Sequence, residues 1–229
     1  MPLKDYEALV GSTAGIVTVA SFFIPCFSVY RFICKTVIKK GSTENVDPMP
    51  FIGGMSMSIL MLQHGLILKD PAMIPVNVFG FILNLIYFSI YYHYSTERLW
   101  LTLGKAATFV AVLIGYAQWE YEHKVEFRFG LITTSIMFAL ISAPLLSLGL
   151  KNISKLSFTT IPLIVSSLFV TSLWLLYGII IENIFVQVGN SIYMFMFHSL
   201  FNKFKLPALN NNHNLLELHY LLNVTQTFT

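Results

Sequence analysis

Charged side chains are scarce in this sequence. Asp, Glu, Lys and Arg make up 11% of its 229 residues, whereas a typical soluble domain contains about 25%. So few charges cannot cover a water-facing surface, and 55% of the residues are hydrophobic. We therefore predict that the surrounding solvent is lipid. The net charge of +3 forms no basic stripe, which excludes nucleic acid as a partner.

Cysteine is also rare, and metal-ligand motifs are lacking. Cys26 and Cys34 lie in or just past the first apolar run, where two small buried side chains are expected rather than a disulfide or a metal pair. His64, His93 and His198 are isolated, and we interpret each as a polar residue near a helix end. We therefore predict no metal and no cofactor. Since no nucleophile with a base and no paired carboxylates are visible, we also predict that the protein is not an enzyme.

Long apolar runs are what the sequence has instead. A helix needs roughly 20 mostly apolar residues to cross the hydrocarbon core. No alternating pattern typical of a barrel appears, so the spans are predicted to be helices. The seven predicted spans are residues 10–30, 50–68, 73–93, 100–119, 129–150, 158–181 and 183–201.

The basic residues predict the orientation, because Lys and Arg favour the cytoplasmic side. With the N-terminus outside, ten of the fourteen Lys and Arg residues fall on the cytoplasmic side. We therefore predict an outside N-terminus and a cytosolic C-terminus. The sequons at Asn152 and Asn223 then face the cytosol and should carry no glycan.

One pattern occurs twice in the chain. LMLQHGLILKDPAMIPVN begins at residue 60 and LWLLYGIIIENIFVQVGN at residue 173, an offset of 113 residues. The similarity continues loosely upstream, so spans 1–3 and 5–7 are interpreted as copies of one unit. Because three is odd, a spacer helix is needed to return the second unit to the same orientation. The predicted fold is therefore an all-α membrane protein with two parallel three-helix repeats, arranged 3+1+3. The predicted segments are 10–94, 95–122 for the spacer, 123–205, and a cytosolic tail at 206–229.

The runs IKKGSTENVDPMPF, LKDPAMIPVNVFGFILNLIYF and LWLLYG resemble the MtN3/saliva family, the SWEET sugar transporters. PMPFIGG and LQHG are most similar to the insect saliva branch. Two departures stand out: Met61 and His64 replace a Trp and a Tyr of the family pattern, and about five extra residues lie between Arg31 and Lys39. The resemblance implies a bidirectional, facilitative sugar uniporter for mono- or disaccharides, working by alternating access. It also implies the plasma membrane or an internal membrane such as the Golgi, and a homo-oligomer.

Asn77 and Asn190 are the amides that close the two copies of the doubled pattern. An amide in hydrocarbon is costly unless it has partners, and each amide offers two donors and an acceptor that suit sugar hydroxyls. A parallel axis would bring these two amides face to face, so we predict that they contact the substrate. The alternative is that each Asn bonds to a neighbouring helix and only stabilises the bundle.

Trp174 and Met61 stand sixteen residues before these two amides. The resemblance implies that both positions lie beside the sugar or close the pathway. An aromatic face suits the C–H side of a pyranose, whereas Met61 is soft and adaptable but stacks less well. The alternative for both is a side chain that faces lipid or the core.

Four prolines head or interrupt the predicted spans. An interior proline removes a backbone hydrogen bond and kinks its helix, and the resemblance implies that such kinks act as hinges for rocking. We predict this role for Pro25, Pro50, Pro144 and Pro162. For Pro50 the alternative is that it only begins its helix.

No Asp, Glu, Lys or Arg stands in the middle of a predicted span. Ion-coupled carriers generally need such a group, so uncoupled transport is expected. Two alternatives remain: a seven-helix carrier for another small solute such as an amino acid, and a receptor-like signalling protein. Measurement of solute flux distinguishes a carrier from a receptor. The short loops offer little surface for a receptor to couple to signalling partners.

Overall fold

The computed structural model describes residues 2–32, 43, 47–95, 99–150 and 160–210. A short 3-10 helix at Pro2–Tyr6 precedes the first long helix, and the described residues contain no strand. The α-helices are α1 (Glu7–Phe32), α2 (Met49–Leu68), α3 (Met73–Tyr94), α4 (Trp100–Trp119), α5 (Glu122–Leu150), α6 (Thr160–Ile180) and α7 (Ile184–Asn210). The prediction of seven helices is confirmed.

α5 and α7 extend furthest beyond their predicted spans, and α1 is longer than its span of 10–30 by a few residues. α5 begins at Glu122 rather than at 129, and α7 continues to Asn210, past the predicted start of the tail at 206. Apolarity marks only the part of a helix that crosses hydrocarbon, whereas hydrogen bonding within a helix can continue into the polar interface. The rest of the tail (211–229), residues 33–40 with most of the extra segment, and both sequons lie outside the described residues.

Several helices are suited to a lipid environment. In the part of the chain that the structure describes, α2, α3 and α4 are long and apolar enough to cross a membrane, and α6 contains a shorter apolar stretch at Val165–Ile180. Large apolar side chains also cover the outer face of α3, where Ile82, Leu85 and Ile86 are exposed. Such a row of exposed apolar side chains is costly in water and stable against lipid.

The helix packing repeats with the sequence. α3 packs against both α1 and α2, and α7 packs in the same way against both α5 and α6. Between the units, α1 packs against α6 and α2 packs against α5. Exchanging the first three helices with the last three reproduces this set of neighbours. The bundle therefore consists of two equivalent units that face each other.

α4 lies outside this symmetric arrangement and packs on α2. One apolar cluster joins Ile52 and Met55 of α2, Phe88 and Tyr91 of α3, and Leu99 just before α4. A second cluster joins α2, α4 and α5 through Leu60, Val110, Ala117, Val125 and Phe129. The spacer helix thus connects the first unit to the second through apolar contacts.

The turns that connect α2 to α3 and α6 to α7 have the same backbone geometry. Lys69 and Glu182, which are 113 residues apart, both adopt the left-handed conformation, with φ of 53° and 58°. The glycines of the doubled pattern lie just before these turns. A Cβ on Gly65 would lie 3.1 Å from Met73 Cβ, and one on Gly178 would lie 2.8 Å from Val186 Cγ1. A glycine is therefore required where the third helix of each unit crosses the second.

The residue after each turn begins the next helix. Asp70 Oδ1 accepts hydrogen bonds from the backbone N–H groups of Ala72 (2.8 Å) and Met73 (2.9 Å). Asn183 Oδ1 does the same for Phe185 (3.0 Å) and Val186 (3.1 Å). These bonds satisfy N–H groups that have no partner within their own helix.

The turn between α4 and α5 is held by polar groups. Glu120 Oε2 accepts hydrogen bonds from Tyr116 Oη (2.8 Å) and Arg128 Nη1 (2.5 Å). The Tyr116 hydrogen bond, and then Arg128, lower the pKa of Glu120. Any contribution of this carboxylate to stability is therefore present at neutral pH and is lost as the pH falls through that lowered pKa. Because Arg128 is exposed, we expect the contribution to be small.

Candidate substrate site between the two helix units

A cavity of about 840 Å³ lies between the two units. Its described walls come from all six helices of the units and from Asp47 just before α2, and none of its lining residues lies on α4. Pockets for small molecules commonly have volumes of about 300–1,000 Å³. The symmetric packing therefore leaves room for a small solute on the axis between the units.

Asn77 and Asn190 both line this cavity. Asn77 Nδ2 donates to the Met73 carbonyl at 2.8 Å, and Asn190 Nδ2 donates to the Val186 carbonyl at 2.8 Å. Each of these carbonyls lies one turn earlier on the same helix, so each bond restrains its side chain. Each amide keeps one N–H and its Oδ1, for which no bond to a described residue of a neighbouring helix is found.

Trp174 and Met61 line the same cavity. Trp174 Nε1 donates a hydrogen bond to Thr18 Oγ1 at 2.8 Å, which connects α6 to α1 across the two units. The indole also packs edge-on against Tyr177, with ring centroids 5.6 Å apart. The structure therefore brings all four predicted binding residues to one cavity.

A second hydrogen bond connects the units beside Trp174. Tyr177 Oη donates to Asp70 Oδ1 at 3.0 Å, joining α6 to the turn before α3. The Tyr177 ring packs on Gly11, where a Cβ would lie 2.7 Å from Tyr177 Cε2. Tyr177 and Asp70 are 1% and 5% exposed. We call the residues of these two bonds, Thr18, Asp70, Trp174 and Tyr177, the closed end; Thr18 and Trp174 line the cavity itself.

The cavity reaches solvent-exposed residues at its other end. Asp47, Met49 and Pro50, at the start of α2, line the cavity and are exposed. We call these three residues the open end. Among the described lining residues Asp47 is the only one with a formal charge at neutral pH. The described residues contain no group of three or more His, Cys, Asp or Glu that could hold a metal ion. The arrangement suits a neutral, hydroxyl-rich solute.

Comparison with known proteins gives the family. A family model described as "Sugar efflux transporter for intercellular exchange" matches residues 8–99. Sugar transporter SWEET1 of Drosophila pseudoobscura pseudoobscura is 32% identical over 199 residues, covering 83% of this chain and 84% of that protein. The chain belongs to the SWEET family of sugar transporters. SWEET1 of Mus musculus is 27% identical over 177 residues, covering 74% of this chain and 79% of that protein.

The fold of a solved relative agrees. A eukaryotic SWEET transporter determined at 3.7 Å resolution superposes with a TM-score of 0.72 at 17% identity, covering 92% of this chain and all of that chain. This likeness confirms the predicted 3+1+3 arrangement of an all-α, multi-pass membrane protein. The exact segment boundaries of 10–94, 95–122, 123–205 and 206–229 stay predictions.

The two units of this SWEET protein carry different residues at the position of His64. His64 occupies the position in α2 that corresponds to Tyr177 in α6, by the offset of 113 residues. It lines the cavity and is only 1% exposed. Its ring centroid lies 6.4 Å from those of Phe129 and Phe185. Neither ring nitrogen has a hydrogen-bond partner among the described residues. His64 is near a helix end, as predicted, but it also belongs to the cavity wall.

The four prolines occupy different positions in their helices. Pro50 is the second residue of α2, where a missing N–H costs no bond within the helix. Pro25, Pro144 and Pro162 lie within α1, α5 and α6, and their side chains are outside the described part of the structure. The hinge role of the four prolines stays a prediction.

The sequence of this SWEET chain did not reveal the Tyr177–Asp70 contact or the role of Asn84 in the cavity wall. Tyr177 and Asp70 both stand in the doubled pattern, but the pattern predicts no contact between them. Asn84 also lines the cavity. Asn84 is a further amide within an apolar span, and the same feature led to the prediction for Asn77.

Proposed function

We propose that this chain is a facilitative, bidirectional uniporter that moves mono- or disaccharides by alternating access. One observation carries the proposal: equivalent amides from two symmetric units line a single cavity, and each keeps one N–H and its Oδ1 without a bond to a described residue of a neighbouring helix. Amides of this kind can donate to and accept from the same sugar hydroxyls. Membership of a sugar transporter family supports this choice of solute.

The other cavity residues fit the two kinds of surface on a sugar. Trp174 offers an aromatic face for the C–H side of the ring, while its Nε1 is already bonded to Thr18. Met61 occupies the corresponding position in the first unit and provides an adaptable apolar wall. We propose Asn77, Asn190, Trp174 and Met61 as the substrate contacts.

The charges of the cavity support uncoupled transport. A carrier driven by protons or sodium generally places an ionisable group or an ion cage within the membrane. The formal charge on the described walls is that of Asp47, at the exposed open end. Asp70 lies in the α2–α3 turn, where its Oδ1 accepts three hydrogen bonds. Transport in either direction down the sugar gradient follows.

The contacts at the two ends support alternating access. The Trp174–Thr18 and Tyr177–Asp70 bonds connect the units at the closed end, while the cavity reaches exposed residues at the open end. Breaking these bonds and bringing the opposite ends together would expose the amides to the other side. In the proposed orientation the closed end faces outward. Pro25, Pro50, Pro144 and Pro162 are the proposed hinges.

Flux through purified protein tests the proposal. In proteoliposomes without an ion gradient, we expect labelled glucose, fructose, sucrose or trehalose to exchange with unlabelled sugar in both directions. Imposing a proton or sodium gradient should not concentrate the sugar. Labelled amino acids serve as the control solutes. Flux of an amino acid without flux of any sugar would overturn the proposal, as would gradient-driven accumulation.

We propose an outside N-terminus and a cytosolic C-terminus, in the plasma membrane or an internal membrane such as the Golgi. In glycosylating cells, Asn152 and Asn223 should remain unmodified because glycosylation occurs on the outer or luminal side. A sequon in an added N-terminal tag should be modified. Treatment with a glycosidase, read as a gel shift, checks both expectations. A glycan on Asn152 would contradict the orientation.

We also propose that the chain assembles as a homo-oligomer, on the strength of its family resemblance. Cross-linking in native membranes, compared with cross-linking after dilution in detergent, tests this. Only monomer at every cross-linker concentration would count against it.

A further inference from the structure

A third amide lines the cavity between Asn77 and the open end. Asn84 lies seven residues after Asn77 on α3. Seven residues are almost two full helical turns, so the two amides lie on one face of α3 at a separation of about 10.5 Å along its axis. The cavity therefore has a second polar level, nearer to the open end than the level of Asn77 and Asn190.

Asn84 is held in the same way as the other two amides. Its Nδ2 donates to the Gly80 carbonyl one turn earlier, at 2.8 Å. This bond restrains the side chain and leaves one N–H and the Oδ1 for a ligand. No described residue donates a hydrogen bond to that Oδ1. Among the described residues, Asn84 therefore has the same unpaired hydrogen-bonding groups as Asn77 and Asn190.

α2 is shaped to accept this side chain. A Cβ at Gly54 would overlap Asn84 Oδ1, and its other nearest atoms are Asn84 Cγ and Nδ2. Gly54 also lines the cavity. The glycine thus lets the amide lie at the cavity wall, where any larger residue at 54 would displace it.

The second unit breaks the symmetry at this level. The residues 113 positions after Asn84 and Gly54 are Phe197 and Ser167, and both line the same cavity. One wall therefore carries an amide and the equivalent wall carries an aromatic ring. A pyranose has hydroxyl groups around its rim and C–H groups on its faces, so this combination can hold one sugar ring.

We propose that Asn84 and Phe197 form a second sugar subsite, so that the carrier binds a disaccharide with one ring at each level. This inference rests on the proposed function and narrows it to a substrate class. The separation of about 10.5 Å is too long for a single ring to reach both amide levels and fits two linked rings. The cavity volume of about 840 Å³ also exceeds what one ring fills.

Two variants test the subsite. Asn84→Leu removes the amide at similar size, and Gly54→Ala keeps the amide but displaces it. Gly104→Ala, on α4 with open space around its Cβ position, is the matched control. Transport of labelled glucose, sucrose and trehalose is measured in proteoliposomes for the wild type and the three variants.

We expect the disaccharide flux of both test variants to fall about tenfold, which is the effect of one lost hydrogen bond. Glucose flux should stay within about twofold, which also shows that the variants fold.

The possible results separate this inference from the proposed function. A loss confined to the disaccharides supports the subsite. Three results would overturn the subsite while leaving sugar transport intact. They are an equal loss of flux for glucose and disaccharides, an unchanged disaccharide flux in both variants, and a wild type that carries glucose but no disaccharide. A wild type that carries no sugar would overturn the proposed function itself.

Discussion

Replacing Asn77 or Asn190 with alanine is expected to reduce sugar flux by about a hundredfold, because each change removes up to two hydrogen bonds to the sugar. Both side chains line the cavity, and the bond that each one makes to its own helix leaves one N–H and the Oδ1 available. Initial rates of glucose uptake in transporter-deficient cells measure the effect. Surface biotinylation shows whether the variants reach the membrane.

Ser135→Ala is the matched control for these two variants. Ser135 makes the same kind of bond to a carbonyl one turn earlier, at 2.7 Å to Leu131, but it is exposed and does not line the cavity. Its substitution should leave uptake unchanged. If Asn77→Ala and Asn190→Ala also transport at the wild-type rate, the amides only stabilise the bundle and the proposed site is wrong.

The second large effect is expected at the closed end, from Tyr177→Phe. This change removes one hydroxyl, and with it the bond to Asp70 that connects the units. A hydrogen bond to a charged group contributes about 1.5–3 kcal/mol, so the equilibrium should shift at least tenfold toward the state that is open at this end. Met73 lines the cavity and is 2% exposed. The variant Met73→Cys, in a protein whose native cysteines have been replaced, therefore reports the shift. Labelling by a membrane-impermeant thiol reagent from outside should accelerate.

Substitutions of Asp70 separate this contact from general damage. Asp70→Ala loses the Tyr177 bond together with the two backbone bonds that begin α3, so both faster labelling and lower stability are expected. Asp70→Asn keeps an oxygen acceptor, as Asn183 does in the second unit, and should behave more like the wild type. Wild-type labelling rates in both Tyr177→Phe and Asp70→Ala would show that this bond does not hold the end closed.

The two units differ at the positions that should control opening. In the second unit Tyr177 has a partner in Asp70, whereas in the first unit the corresponding His64 is buried without one among the described residues. A buried polar group without a partner is unfavourable. We therefore expect that the contacts of α6 with α1 and with the α2–α3 turn, rather than His64, hold this end closed.

The ends of a helix could be predicted closely where the apolar run ends at the same residue as the helix. α2, α3 and α4 begin and end within one residue of their predicted limits, because apolar runs there are bounded by Pro, Asp or charged residues. α5 and α7 are longer than predicted because charged and polar residues near one end of each helix lower the hydropathy there. Lys124, Glu126 and Arg128 lie within α5 although hydropathy places them outside the span.

The sequence by itself determined the lipid environment, the seven helices and the doubling, because composition and a constant offset of 113 residues are properties of a linear pattern. It also identified the two equivalent amides, since symmetry relates positions that match in sequence. The tertiary structure alone decided which non-equivalent residues meet. Tyr177 and Asp70 are 107 residues apart, and Trp174 and Thr18 are 156 apart. Such contacts depend on how two units pack against each other, and no repeat in the sequence encodes that distance.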